Sequence, residues 1–558
     1  MENTLQGSIF DLAQANPDAP AVGFYTADRS CKWMTRGELI SAAERAAGRL
    51  AELGLREGAV CVQVPYNDRF AVEVLLGALV LGALPLMVAP PAIQGLNSSL
   101  PDILHGIIER TSAPVVVAAG SVSYLREDLA ARHTETTIVF EDEFGEGPPA
   151  AWTRRRSSDL AGLQLTSGTT GFPRICMWRQ QNVMAALDGM ATAMRVDSGD
   201  IYLNWTPLYH DMGLMNNFML CMTRGIPLVM MSPFDFIKRP ASWMRALHDT
   251  QATTTWSPNF GFALAAQRVR DKELEGVRLD HVRGFWNAAE RIHYETIVAF
   301  KDRFTPIGLR SDAIKTNFGC AENVGGATFT APQQQVPVEH LDTTSLHEDL
   351  KAVVVQPGKL TVPVVGCGRP HPGITIHILD EMSNELPDGH VGHLALNTVS
   401  RMEGYLHDPE ATAAAFHNGL LKTGDLGYVR EGEFFWTGRV QERIAVRGRK
   451  IDPSDFEAAL LRVADLRPGS FAAFGHDDPE LGTQRVVIIA EVVDDRAESI
   501  DETKADVKRA VFERLGVGVD DVVLVAKGTL AKTSSGKRRH RHFADMYERG
   551  LMAEHEIA

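Results

Sequence analysis

At 558 residues the chain is too long for one ordinary hydrophobic core, and two or three domains are expected. Its hydrophobic content of 44% and charged content of 23% are those of a soluble globular protein, and a formal net charge of −15 excludes a general nucleic-acid binder. Six cysteines scattered without a CxxC pair predict neither a disulfide framework nor a zinc site, and fit a reducing, cytoplasmic setting.

The first residues, Met1-Glu2-Asn3-Thr4-Leu5-Gln6, lack the basic and apolar regions of a signal peptide. Thr35-Arg36-Gly37-Glu38 has the form of a capping box opening a helix over Leu39–Leu53, with a stop near Gly54. Val60–Val64 reads as a strand. The uncharged run Val74–Ala89 is short for a bilayer and contains Gly77, Gly82 and Pro85. It predicts a buried helix turning into a buried strand at Leu86–Val88, not a membrane span. Pro114–Ala119 is the next strand. Such repeated strand–helix units imply an α/β fold with a parallel sheet covered by helices on both faces. Gly145–Arg156 is expected to be a loop.

Leu160, Leu163 and Leu165 mark a strand that runs into Thr166-Ser167-Gly168-Thr169-Thr170-Gly171-Phe172-Pro173-Arg174. Glycines let backbone N–H groups approach a ligand and hydroxyls add rotatable donors, so this turn can hold a phosphate chain. Ser/Thr/Gly clusters also occur as plain surface loops. The GxxxxGK[ST] pattern of GTPases and kinases is absent.

Alternating helices and strands continue from Asn182 to Leu309. Two polar knots interrupt apolar surroundings there: Trp205-Thr206-Pro207-Leu208-Tyr209-His210-Asp211-Met212-Gly213-Leu214 and Trp256-Ser257-Pro258-Asn259-Phe260-Gly261-Phe262. Residues 331–372 are poor in pattern and read as loop with a short helix. Short strands at Ile374–Leu379, His393–Leu396 and Glu433–Trp436 predict a β-rich subdomain over about residues 373–438. Past Gly438 the chain turns basic (Arg439, Arg443, Arg447, Arg449, Lys450), and an α+β unit follows with strands at Ala472–Gly475, Val486–Val493 and Val522–Ala526. The expected division is a large domain over residues 1–440 and a small one over 441–558, with no internal repeat.

Four further stretches stand in a fixed order: Asn287-Ala288-Ala289-Glu290, Asn317-Phe318-Gly319-Cys320-Ala321-Glu322, Lys422-Thr423-Gly424-Asp425-Leu426-Gly427 and Thr437-Gly438-Arg439. Lys532-Thr533-Ser534-Ser535-Gly536-Lys537 closes the series. Singly each is weak, since a Gly-Asp turn often only caps a hairpin and a lone Glu or Lys is often just solvated. Together with the hydroxyl-rich loop, from about residue 10 to 545, they strongly resemble the adenylate-forming superfamily of acyl-CoA synthetases, adenylation domains and luciferases. Pro207–Leu214, Ser257-Pro258-Asn259-Phe260, Gly366-Cys367-Gly368-Arg369-Pro370 and an insertion-like segment at Leu341–Val365 resemble the fatty-acyl-AMP ligases within it.

The resemblance implies an ATP- and Mg²⁺-dependent reaction of an acid to its acyl-AMP, with a mobile C-terminal domain. The loop Thr166–Gly171 with Arg174 would grip the β- and γ-phosphates, and Glu322 would hold Mg²⁺. Ala289, Glu290, Asn317, Phe318 and Gly319 would line the adenine slot. Asp425 would bind the ribose hydroxyls and Arg439 the ribose or phosphate, while Lys537 would reach the carboxylate and α-phosphate. His210, also a candidate structural histidine, would wall the acid pocket with Trp205, Asp211, Asn259, Phe260, Trp286 and Ala288. Trp256 would lie near that pocket. Gln441 occupies the hinge position.

The acceptor implied is an acyl-carrier protein, or CoA. Arg538-Arg539-His540-Arg541, directly after Lys537, then fits nucleotide phosphate or a carrier protein rather than nucleic acid. Departures from the family pattern are Arg174 for a usual Lys, Gln441 for Asp or Lys, Ala531 for Pro and Ala288 for Gly. Ala288 and the tryptophans would narrow the pocket and admit a shorter or aromatic acid. Activation of nitrous acid for diazotisation, CoA ligation and a non-catalytic nucleotide-binding scaffold are the alternatives.

Overall fold

The computed structural model describes residues 3–90, 100–166, 172–446, 449–478, 483–493, 500–530 and 540–557. Helices and strands alternate through the first two-thirds and build two large sheets. In the first, Pro20–Tyr25, Leu228–Met230, Tyr202–Asn204, Thr254–Pro258, Gly284–Ala288 and Ile314–Cys320 run parallel. Antiparallel strands close its edges, Cys31–Thr35 at one and Gly325–Phe329 with Arg369–Pro370 at the other. The second sheet has the order Gly404–Tyr405, Ile175–Arg179, Leu160–Leu165, Leu84–Met87, Val60–Val64, Val115–Ala118, Thr137–Phe140.

Local chemistry explains these elements. The helix Arg36–Glu52 opens on the expected capping box: Thr35 accepts from the Glu38 N–H while Glu38 accepts from the Thr35 N–H. Its alanine face packs against the apolar helix Arg69–Val80, where a Cβ on Gly77 would lie 2.9 Å from the Ala46 Cβ. That close approach is why the uncharged run is buried. Among the described residues no helix is long and apolar enough to cross a membrane.

The β-rich part is an antiparallel sheet of Ile374–Leu379, Gly392–Thr398, Leu420–Arg430, Phe416–His417 and Glu433–Arg439. The C-terminal unit is a three-stranded sheet, Leu466–Asp478, Thr483–Val492 and Asp521–Val525, packed by the helices Pro453–Leu460 and Ile500–Leu515.

One expectation is corrected. Residues 331–372 hold an antiparallel ribbon, Val338–Asp342 with Thr361–Val365, besides the short helix Thr343–His347. Pro363 sits in that ribbon opposite His340. A proline removes one ladder donor and is tolerated in such an edge pairing, so the sequence there carries a weak strand signal. Leu341, Leu346, Val362 and Val364 from this segment share one hydrophobic cluster with Ile444, Phe456, Leu460, Val511 and Leu515.

Candidate active site

The strand Leu160–Leu165 and its antiparallel neighbour Ile175–Arg179 bring the two ends of the hydroxyl-rich loop together. The Thr166 N–H donates to the Arg174 carbonyl at 2.9 Å, and the Arg174 N–H donates to Thr166 Oγ1 at 3.2 Å. Ser167, Gly168, Thr169, Thr170 and Gly171 lie outside the described residues, as does Lys537. Beside the loop base the Arg174 guanidinium sits 5.2 Å from the Tyr405 ring centre, and the Tyr405 hydroxyl donates to Glu322 Oε1 at 2.7 Å. Burial and the Glu322 charge hold the Tyr405 phenol far above its usual range, so it stays a donor. Tyr405 reaches this place because Gly404–Tyr405 pairs with Met177 and Cys176. Nothing local in the sequence marks it.

A cleft of about 1150 Å³ opens between the C-terminal ends of the first sheet's strands, the β-rich sheet and the C-terminal unit. Ala289, Glu290, Asn317, Phe318, Gly319, Asp425 and Arg439 all line it. Ala289 has φ 72°, a left-handed conformation that a non-glycine residue adopts at a cost of about 1–3 kcal/mol. Glu290 beside it accepts the Phe260 N–H at 2.6 Å, which ties this turn to the start of the helix Asn259–Arg268. Gly319 admits no side chain: a Cβ would lie 2.4 Å from the Gly325 carbonyl oxygen. Phe318 packs edge-on against Phe434, and Asn317 donates to the Thr328 carbonyl at 2.5 Å.

Asp425 and Arg439 face each other across the hairpin Leu420–Arg430/Glu433–Arg439. Asp425 Oδ1 accepts from Trp436 Nε1 at 3.0 Å and lies 3.3 Å from Arg439 Nε. The adjacent Asp425 charge raises the Arg439 guanidinium above its ordinary range. Trp436 is a further cleft residue that the sequence reading missed; the alternation of its strand is the only signal it offered.

At the other end of the same cleft lie Trp205, His210, Asn259 and Phe260, with Phe234, Ile237 and Leu264 extending an apolar wall. His210 caps a short helical turn that continues into the π-helix Leu214–Met219, and its Nδ1 lies 2.7 Å from Asp211 Oδ1. A π-helix beside a cleft is a frequent companion of functional sites. Asn259 is spent on scaffolding, accepting from Asn287 Nδ2 and the His293 N–H, both at 3.2 Å.

Trp286 and Ala288, expected in the acid pocket, belong instead to the core. The strand Gly284–Ala288 is paired on both sides and buried throughout. Trp286 stacks on Trp256 at 5.2 Å and meets Phe329 edge-on. Trp205 keeps its place at the cleft but is stacked on Phe236 at 4.0 Å, so it forms a fixed wall. Gln441 is an exposed turn residue between Arg439 and the strand Ile444–Val446.

A model of the AMP-binding enzyme family matches residues 9–406, well over half of the chain. The chain belongs to the AMP-binding enzymes. Within that family it is 31% identical over 519 residues to a 4-hydroxyphenylalkanoate adenylyltransferase of Mycobacterium tuberculosis, covering 88% of this chain and 82% of that one. It is 27% identical over 486 residues to a medium-chain-fatty-acid–[acyl-carrier-protein] ligase of Moorena producens, covering 84% and 82%. A chain from a structural and functional study of fatty acyl-adenylate ligases of E. coli and L. pneumophila superposes with a TM-score of 0.91 at 25% identity, over 99% of this chain and 98% of that one.

In this AMP-binding enzyme the ribbon segment touches the C-terminal unit through polar groups as well. Arg449 lies 3.4 Å from Glu348, and His347 lies 3.6 Å from Asp455. Burial pushes the His347 imidazole down to about 4, so it is neutral at pH 7. The unfolded chain binds a proton at His347 below its ordinary value of 6.5 while the folded chain does not until about pH 4, so stability falls as pH drops through that window. Chemical denaturation of His347→Gln at pH 7 and pH 4 checks this. The variant is expected to gain about 3 kcal/mol on the wild type between the two, the equivalent of the shift; parallel curves would refute it.

Proposed function

We propose that this AMP-binding enzyme is an AMP-forming acid ligase in which a large N-terminal domain (1–440) and a small mobile domain (441–558, hinge at Gln441) meet over one cleft. The observation that carries it is the juxtaposition of Asp425, Arg439 and the Ala289–Glu290 and Asn317–Gly319 walls with an apolar extension along Phe234, Ile237, Phe260 and Leu264. A nucleoside with a charged tail and an apolar acid fit opposite ends of such a cleft.

In the first step an acid carboxylate oxygen attacks the α-phosphorus of ATP. The new O–P bond forms as the bond to pyrophosphate breaks, and pyrophosphate leaves with the electron pair. Two anions meet, so the residues' task is charge stabilisation and alignment. Asp425 orients the ribose, Arg439 stays cationic beside it, Arg174 and Thr166 close the phosphate loop, and Lys537 stabilises charge at the reacting centre.

Among the described residues no cluster of three or more acidic, His or Cys side chains forms a metal cage. Glu322 offers one carboxylate, oriented by Tyr405, which is what Mg²⁺ uses when substrate phosphates and water complete its shell. Mg²⁺ there would neutralise phosphate charge. Glu322→Gln is expected to raise the Mg²⁺ concentration for half-maximal activity at least about tenfold, read by titrating activity against free Mg²⁺ at saturating ATP. An unchanged titration would remove Glu322 from that role.

In the second step a nucleophile displaces AMP. A carrier-protein thiol is favoured over CoA because the segment Leu341–Val365 shares its core with the C-terminal unit and would hamper the movement that admits CoA; the relatives include both an acyl-carrier-protein ligase of Moorena producens and proteins named as CoA ligases. ATP–pyrophosphate exchange against fatty, aryl and inorganic acids tests the whole reading. Exchange with apolar carboxylic acids is expected; no exchange with any acid favours a scaffold, and AMP release requiring both nitrite and an aryl amine favours diazotisation.

A further inference from the structure

Arg291 follows Glu290 directly, yet its side chain turns into the C-terminal unit. Nη2 lies 2.6 Å from Asp455 Oδ1, Nη1 donates to Ser454 Oγ at 2.7 Å, and Nη1 lies 3.8 Å from Asp452 Oδ1. The three charged side chains are 9%, 2% and 5% exposed for Arg291, Asp455 and Asp452. Asp452 Oδ2 in turn accepts the Arg439 N–H at 3.2 Å, and the Arg439 guanidinium reaches Asp425. A chain of contacts thus runs from the ribose carboxylate Asp425 through Arg439 and Asp452 to Arg291, and back to the adenine turn. Its middle lies at the start of the helix Pro453–Leu460, which Asp452 caps by accepting the Ser454 N–H at 2.9 Å.

Such a buried guanidinium is a poor way to gain adhesion. Desolvating an arginine and two carboxylates offsets most of their attraction, and apolar side chains of equal volume hold a seam as well or better. A planar guanidinium does restrict geometry, because its N–H groups donate only in its own plane, here from Nη1 to Ser454 Oγ, while the two carboxylates hold its charge in place. The seam also has apolar adhesion of its own, in the cluster that joins the ribbon to Ile444, Phe456 and Leu515. The charged contacts therefore serve orientation.

We propose that Arg291 is a positioning residue that, by holding Asp452 and Asp455, sets the orientation in which the C-terminal unit faces the cleft during acyl-AMP formation and that it releases this unit for the acceptor step. The inference rests on the two-step reading above. Residues 452–455 and the adenine turn then move as one body in the first step and separate in the second. Loss of the contact penalises the first step selectively.

Arg291→Ala and Asp455→Asn test this in the full-length enzyme, using the acid that supports exchange best in the wild type. Acyl-AMP formation, measured in a single turnover, is expected to slow about tenfold or more, while transfer of acyl groups from supplied acyl-AMP to pantetheine holds or quickens. Trypsin cleavage within residues 439–443 is expected to accelerate about fivefold, because the open orientation is populated more. Arg291→Lys, which keeps the charge, should recover part of the first-step rate. If single variants do not fold, Arg291→Met with Asp455→Leu exchanges that ion pair for apolar volume, leaves Asp452 capping its helix and accepting the Arg439 N–H, and is expected to show the same split. Equal loss in both half-reactions with unchanged cleavage, or no change in either, overturns the proposal. Absence of exchange in the wild type would overturn the ligase reading instead, and the trypsin comparison would still decide whether Arg291 sets the orientation.

Discussion

Lys537→Ala is expected to lower ATP–pyrophosphate exchange by about 10²–10³-fold, the usual consequence of deleting one preorganised charge stabiliser at a reacting centre. Acyl transfer from acyl-AMP supplied directly should stay within about threefold of the wild type, because no charge then builds up on a pentavalent phosphorus facing a triphosphate. The described residues nearest in sequence, Leu530 and His540, are held by buried acidic groups. On one side Glu491, itself buried, accepts the Gly528 and Leu530 N–H groups at 3.0 and 2.9 Å and pairs with Arg467 at 2.7 Å. On the other, His540 Nε2 lies 2.7 Å from Glu457 Oε1. Burial opposes charge on that imidazole, but Glu457 and Glu442 outweigh it and push His540 up to about 10, so it is cationic at pH 7. Glu491, Gly528, Leu530 and His540 all line the cleft. Full exchange activity in Lys537→Ala would refute the mechanism.

Asp425→Ala is expected to raise the KM for ATP about tenfold to a hundredfold and to lower stability as well. A hydrogen bond from a ligand hydroxyl to a charged partner contributes about 1.5–3 kcal/mol, which converts to that range. Stability suffers because Asp425 is almost wholly buried and holds both Trp436 Nε1 and the Arg439 guanidinium. Arg439 keeps partial contact with solvent, so its orphaning costs about 1–3 kcal/mol, less than a fully enclosed ion would. Asp425→Asn separates the two effects, since it preserves the volume and one acceptor while removing the charge. ATP titration of exchange alongside urea denaturation of both variants measures each part. A normal KM in both would take the ribose away from this carboxylate.

Much of the fold was legible because its signals are local. The Thr35–Glu38 capping box, the strands Val60–Val64, Leu160–Leu165 and Ile374–Leu379, and the buried run before Ala89 each follow from a few neighbouring side chains. The ribbon around Pro363 was missed because its pairing joins residues about twenty positions apart, Val338–Asp342 has no period-two alternation, and a proline interrupts Thr361–Val365. The placement of the tryptophans was hidden in a similar way. Trp205, Trp256 and Trp286 look alike in sequence as aromatic residues in or beside strands, yet of the three only Trp205 reaches the cleft while the other two stack inside the sheet.

The order and chemistry of short motifs therefore determined the family and pointed to the proposed nucleotide residues, because each motif is a run of residues adjacent in sequence. Glu322's partner Tyr405, the Asp425–Arg439–Asp452 contacts and the turn of Arg291 into the C-terminal unit were decided by the tertiary structure alone. Those groups come from segments up to 164 positions apart, as Arg291 and Asp455 do. Burial then turns their pairing into orientation, and no local pattern in the chain encodes a direction in space.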